Sequence, residues 1–134
     1  MIECDDTKWP LAITVAEDAI TLADHRRFLY HWSRRLDRAQ PFVPLRIFTS
    51  DAAMGQPDGA LLEWKAWLKI NAERIRTNVL GIATAVPYRH TDRSLGTDMT
   101  WPDGVAVRVF ADGRSAVAWL REEILAPAGM TVDL

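Results

Sequence analysis

Residues 105–123 read VAVRVFADGRSAVAWLREE, two structural elements divided by a single acidic residue. Val105–Ala111 is β-branched and aromatic, which is the composition of a strand. Asp112 is placed to cap a helix over Gly113–Leu125, in which Ala116, Val117, Leu120 and Ile124 recur at helical spacing as an inner face. Pro127 and Gly129 close that helix, and the tail 126–134 is expected to fray. A strand feeding a capped amphipathic helix is the repeating unit of an α/β domain, so the rest of the chain is read for further copies of it.

Working back toward the N-terminus, Val79–Val86 is almost wholly apolar and fits a strand covered on both faces. Gly59–Thr77 makes the longest helix, with Leu61, Trp64, Leu68, Ala72 and Ile75 on its core face. Phe42–Thr49 is a strand in which Pro44, lacking an N–H, belongs at the first turn or at a bulge. A helix over Asp24–Ala39, capped by Thr21 or Asp24, turns Phe28, Leu29, Trp32, Leu36 and Ala39 inward and most of its arginines outward. Trp9–Val15 is a strand, with Ile2–Cys4 as a short neighbour. Between these lie a loop at Ser50–Asp58 and a polar stretch at Pro87–Gly104. Loops as long as the latter are uncommon in compact domains and often carry function. The order is β-α-β-α-β-loop-β-α, and the expected fold is α/β with a mostly parallel sheet of four or five strands.

The chain has 134 residues, enough for one domain over 1–134 with its core in about 9–125. A net charge of −2 leaves no whole-chain footprint for nucleic acid or an anionic membrane, so neither is expected as a partner. The N-terminal MIECDDTKWP lacks the pattern of a secretory signal, and no apolar run approaches the ~20 residues of a bilayer span. With Cys4 alone there is no internal disulfide, and a cytoplasmic location is expected.

WPLAITVAED at 9–18, RLDRAQPFVPLRIFTSDAA at 35–53, LLEWKAWLKINAERIR at 61–76, VLGIATAVP at 79–87 and above all the closing 105–123 resemble the STAS/SpoIIAA-like domains. That group includes anti-sigma-factor antagonists and the cytoplasmic domains of sulfate transporters, and the likeness is to its stand-alone bacterial members. The resemblance implies a regulatory or scaffold domain without catalysis, acting through a protein partner or as a homodimer. It also implies strand-end loops able to take a nucleotide or lipid. The antagonists carry a phosphorylatable serine in an Asp-Ser-Ser-Gly turn. Here the matching stretch is Thr49-Ser50-Asp51-Ala52-Ala53-Met54-Gly55, with Ser50 the only near match, so the phosphoswitch does not carry over. Residues 88–104, YRHTDRSLGTDMTWPDG, are polar and Gly-rich where related chains often have an amphipathic helix.

No motif for catalysis is present: there is no Gly-rich phosphate loop and no nucleophile elbow. His25 and His31 are six residues apart, not the four that would put two zinc ligands on one helix face, and His90 with Asp92 and Asp98 has no second histidine or cysteine nearby. His25 reads as a half-buried histidine bonded to a loop, and His31 as solvated. Glu3, Asp5 and Asp6 would raise the Cys4 thiol pKa and blunt a nucleophile. No cofactor or metal is expected. Two binding surfaces remain. Leu62, Trp67 and Ile70 fall outside the long helix's core stripe and form a candidate interface for a protein partner or a second copy. Ser50, Arg89, His90, Arg93 and Trp101 lie on loops following strands, where parallel sheets usually hold ligands, with loops 50–58 and 87–104 as the crevice.

Overall fold

The computed structural model describes residues 1–87 and 101–132. Its centre is β3 (Val43–Phe48), flanked by β2 (Leu11–Ala16) and β4 (Ile82–Ala85), both parallel to it. β5 (Val107–Phe110) adds a further parallel strand beside β4. β1 (Ile2–Asp5) closes the other edge antiparallel to β2, making a mixed five-stranded sheet in the order β1-β2-β3-β4-β5. The helices are α1 (Leu22–Asp37), α2 (Asp51–Met54), α3 (Ala60–Asn78) and α4 (Gly113–Trp119), the last continuing as a π-helical turn over Leu120–Leu125.

Side-chain alternation splits the sheet between two cores. Ala12, Phe42 and Ile82 face α1 and α3 and pack with Phe28, Trp32, Leu36, Trp64 and Ile75. Leu11, Val43, Leu45 and Ala83 face α4 and pack with Ala116, Leu120 and Leu125. β4 is buried at every position, as its unbroken apolar run predicts. Pro44 sits where the reading puts it: Phe42 pairs with Val79 but Leu45 with Ala83, so one extra residue on the β4 side lies opposite the missing N–H.

The first core is built mainly from indoles. Trp32 and Trp64 are fully buried, Trp67 stacks on Trp64 at 5.4 Å between ring centroids, and Trp101 lies 5.0 Å from Trp64 and 5.4 Å from Trp32. Trp67 is therefore half-buried inside the domain, with its Nε1–H donating to Ser33 Oγ at 2.9 Å, and not on the outward face expected of it. Bringing both indoles of α3 inward rotates the helix relative to the expected stripe. Ala60 and Asn71 become buried, while Leu61, expected inside, is exposed.

Three other expectations are corrected, the first being the loop at 50–58, whose residues Asp51–Met54 form the helix α2. Ala39 lies beyond the end of α1 with a positive φ of 52° and is exposed, because the chain reverses there toward Pro41. In the last helix Ile124 packs against the second core as its spacing from Leu120 predicts, and the π turn also brings Leu125 fully inside. The segment after it turns back, with the Met130 N–H donating to the Leu125 carbonyl at 2.9 Å and Met130 and Val132 packing against the second core. Thr21 is the N-cap of α1, and it and Asp24 form a reciprocal capping box.

Arg35 was expected on the solvated face of α1 but is only 1% exposed. It donates to Asp6 Oδ1, Thr14 Oγ1 and the Ile13 carbonyl, each at 2.9 Å, and so ties α1 to β2 and to the chain leaving β1. Replacing Arg35 by Met removes these three charge-assisted hydrogen bonds from a buried seam, at a net cost of about 1.5–3 kcal/mol for a bond to a charged group. Urea denaturation of R35M is expected to show a lower midpoint with an unchanged slope.

Candidate functional site

A polar row crosses the interior of the sheet beneath α1 and α3. Cys4, Thr14, Arg46, Thr84 and Val109 stand opposite one another across the five strands. Four of these five carry polar groups on a face otherwise lined by hydrocarbon and indoles. Arg46 is only 4% exposed. Its Nε and an Nη donate to Thr84 Oγ1 at 3.2 and 3.1 Å, and its guanidinium lies over the rings of Trp101 at 5.1 Å and Phe48 at 5.5 Å. Burial pushes its pKa down to about 10, so the side chain remains a cation at neutral pH. The signal for this residue was legible: an arginine in VPLRIF at an inward position, with Thr14 and Thr84 at inward positions of the adjoining strands.

β2 and β3 end two residues beyond this row, and the first turns of α1 and the short α2 sit over those ends. Between them is a small cavity of about 40 Å³, lined by Thr14, Ala16, His25, Phe28, Arg46, Phe48 and the buried Ala53, and by the exposed Gly55 and Gln56. His25 is 3% exposed, and its Nε2 has no hydrogen-bond partner among the described residues. Burial holds its pKa below the ordinary 6.5, opposed by the nearby Glu63 carboxylate and by a hydrogen bond to the backbone of Ala60. The imidazole is therefore neutral at pH 7. With the backbone bond on its other nitrogen, Nε2 presents a lone pair. Glu63 is gripped from outside by Arg26, with Nη2 to Oε1 at 2.8 Å.

The strand-end position expected for a ligand thus coincides with a cavity, but its lining differs from the expected set. Ser50 caps α2, accepting from the Ala53 N–H at 3.4 Å, and is not among the cavity's lining residues. Trp101 belongs to the indole cluster and reaches the site only as a surface for Arg46. Arg89, His90 and Arg93 lie outside the described residues. His25, assigned a structural part in the sequence, and Arg46 and Thr14, not singled out there, supply the polar groups.

Elsewhere the chemistry is sparse. Burial is the main cause raising the Cys4 thiol pKa, Arg35 opposes it, and the Asp6 carboxylate adds a smaller upward push. No group of three or more His, Cys, Asp or Glu among the described residues is arranged to hold a metal ion. The arginine stripe of α1 borders an open depression in which Arg34 and Arg38 alternate with Asp6 and Asp37, so its charges are interleaved with acids. No helix among the described residues is long and apolar enough to cross a membrane. Comparison of the chain with family models, curated proteins and solved structures finds no match in any of the three.

The state of His25 makes folding pH-dependent. Below 6.5 the unfolded chain takes up a proton at this imidazole that the folded chain resists. Its contribution to stability is therefore complete above that value and declines as pH falls through it toward the lower folded pKa. Urea melts of the native chain between about pH 7 and about pH 5 are expected to show this slope, and His25→Gln is expected to flatten it.

Proposed function

We propose that this chain is a non-enzymatic, STAS-like α/β domain that binds a small molecule at the C-terminal ends of β2 and β3. The observation that carries this reading is the cavity there, in which a buried imidazole nitrogen with no partner among the described residues and a buried guanidinium share walls with Thr14, Gln56 and apolar side chains. Ligand pockets combine apolar lining with a few convergent polar groups, and in parallel sheets they lie at this edge. The sequential strand order and the alternation of strands and helices support the STAS-like assignment. The segment 50–58 contributes Ala53 from α2 and Gly55 and Gln56 from the turn after it, at the strand-end position, although Ser50 itself caps the helix. Thr14 is the one hydroxyl among the described lining residues and already accepts from Arg35, which favours binding over catalysis.

Nucleotides, acyl compounds and small organic acids screened by NMR are expected to include at least one that saturably shifts the amide resonances of Ala16, Ala53 and Gly55. Shifts confined to other parts of the sheet would count against the site.

A second reading rests on a separate observation. Leu62 and Ile70 lie two turns apart on α3 and are 75% and 82% exposed. Ala66 is exposed between them. This narrower strip replaces the Leu62–Trp67–Ile70 face as the surface for a regulatory contact, with a second copy of the chain as its simplest occupant. If it closes a homodimer, Ile70→Glu is expected to raise the dissociation constant at least about tenfold in sedimentation. The internal Trp67 is unsuited to that test.

A further inference from the structure

The outer face of the helix layer is unbalanced in charge. Every acidic residue of α1 and α3 is already taken by an arginine. Asp24 and Glu73 each pair with the arginine three residues on along their own helix, while Glu63 and Asp37 pair with Arg26 and Arg74 across the seam between the helices. Cations are left over. Lys65 and Lys69 of α3 and Arg34 of α1 are exposed, and none has a carboxylate within ion-pair distance among the described residues. Arg34 instead donates to the hydroxyl of the exposed Tyr30 at 3.0 Å. This surplus surrounds the strip of Leu62, Ala66 and Ile70. Lys65 and Lys69 precede Ala66 and Ile70 by one residue and so lie along one side of the strip. Glu63, Trp67 and Arg74 lie along the other, bonded to α1.

The strip has the spacing i, i+4, i+8 and the sizes large, small, large. That is the ridge by which one helix receives another crossing it, with the notch at Ala66. A second copy fits this ridge poorly. An antiparallel two-fold pairing sets Lys65 and Lys69 against the same lysines of the second copy. A parallel one sets them against the side where Glu63 is already clasped by Arg26. Like charges brought together in this way oppose association. An anionic bilayer is also a poorer match, because two protruding side chains give little to insert and the whole chain is at −2.

We infer that the strip receives an amphipathic α-helix of a protein partner, its apolar stripe crossing Ala66 between Leu62 and Ile70 and its acidic flanks meeting Lys65, Lys69 and Arg34. This rests on the second reading above, that the strip is a contact surface, and gives it an acidic helix as occupant in place of a second copy.

The full chain is titrated with two synthetic helical peptides that share one leucine stripe, the first flanked by glutamates and the second by lysines, and is separately mixed with phosphatidylserine vesicles. The Leu62, Ala66 and Ile70 amides are followed by NMR, and sedimentation reports the oligomeric state. The glutamate-flanked peptide is expected to shift these amides saturably, to bind at least about tenfold more tightly than the lysine-flanked one, and to weaken as salt is raised. The double variant Lys65→Glu/Lys69→Glu, which alters exposed side chains alone, is expected to reverse that preference. Ile70→Glu is expected to weaken binding about tenfold or more. A preference that survives the double variant overturns the inference, as does a glutamate-flanked peptide that leaves the amides unshifted. If in that last case the chain sediments as a dimer that Ile70→Glu dissociates, the contact surface stands with a second copy on it. A monomer that neither peptide shifts overturns both. Vesicle binding that is lost in Ile70→Glu, with no preference between the peptides, makes the strip a membrane contact and overturns the inference.

Discussion

Parallel pairing of β2 through β5 is the constraint on which the rest of the structure depends. Two adjacent parallel strands cannot be joined by a tight turn, so the chain must travel back along the sheet each time. In this protein α1 and α3 make those journeys across one face, between β2 and β3 and between β3 and β4. The strand ends and the helix beginnings are thereby collected at one edge. His25, at the end of the first turn of α1, and Ala60, at the start of α3, meet there near Arg46. The polar row and the cavity follow from this collection of ends and involve no special local sequence.

Two arginines inside such a small domain call for a physical account. Moving a guanidinium out of water costs several kcal/mol even after relaxation, and only well-placed partners offset it. Arg35 meets the requirement with a carboxylate, a hydroxyl and a carbonyl, and it does so at the seam where β1 and β2 join α1. Arg46 is held by Thr84 and by the faces of two aromatic rings. Arginine suits both positions better than lysine, because its planar, weakly hydrated head can bond along its edge and stack on its face at once. Trp101, one of the tryptophans that make the first core so bulky, also covers one of these cations.

Much of the architecture was legible in the residues. The apolar run of β4, the bulge at Pro44, the Thr21 cap and the Asp112 cap all follow from local rules about hydrogen-bonding capacity, and each stands where those rules place it. The site was less legible. Periodicity marks which side of a helix is apolar, but it does not tell whether a charged residue at the border of that stripe faces water or a polar group on the sheet. Arg35 was assigned to solvent on that ground, and Trp67 to an outer face. His25 was read as structural because one nitrogen meeting a backbone group is the usual fate of such a histidine. Its second nitrogen became informative only when the space beside it was known.

Taken alone, the sequence determined the strands, the three long helices, their order and most of the caps and chain-reversing residues, while α2 lies in a stretch that reads as a loop. These depend on a residue's own backbone freedom and on neighbours within four or five positions, and that information is carried along the chain. Tertiary structure decided the rotation of α3, the π turn that brings Leu125 inside, and the convergence of Thr14, His25 and Arg46 on one cavity. Those outcomes are set by how indoles of fixed shape interlock between helix and sheet. That competition among packings involves residues tens of positions apart, and its result exists only once the layers have closed on each other.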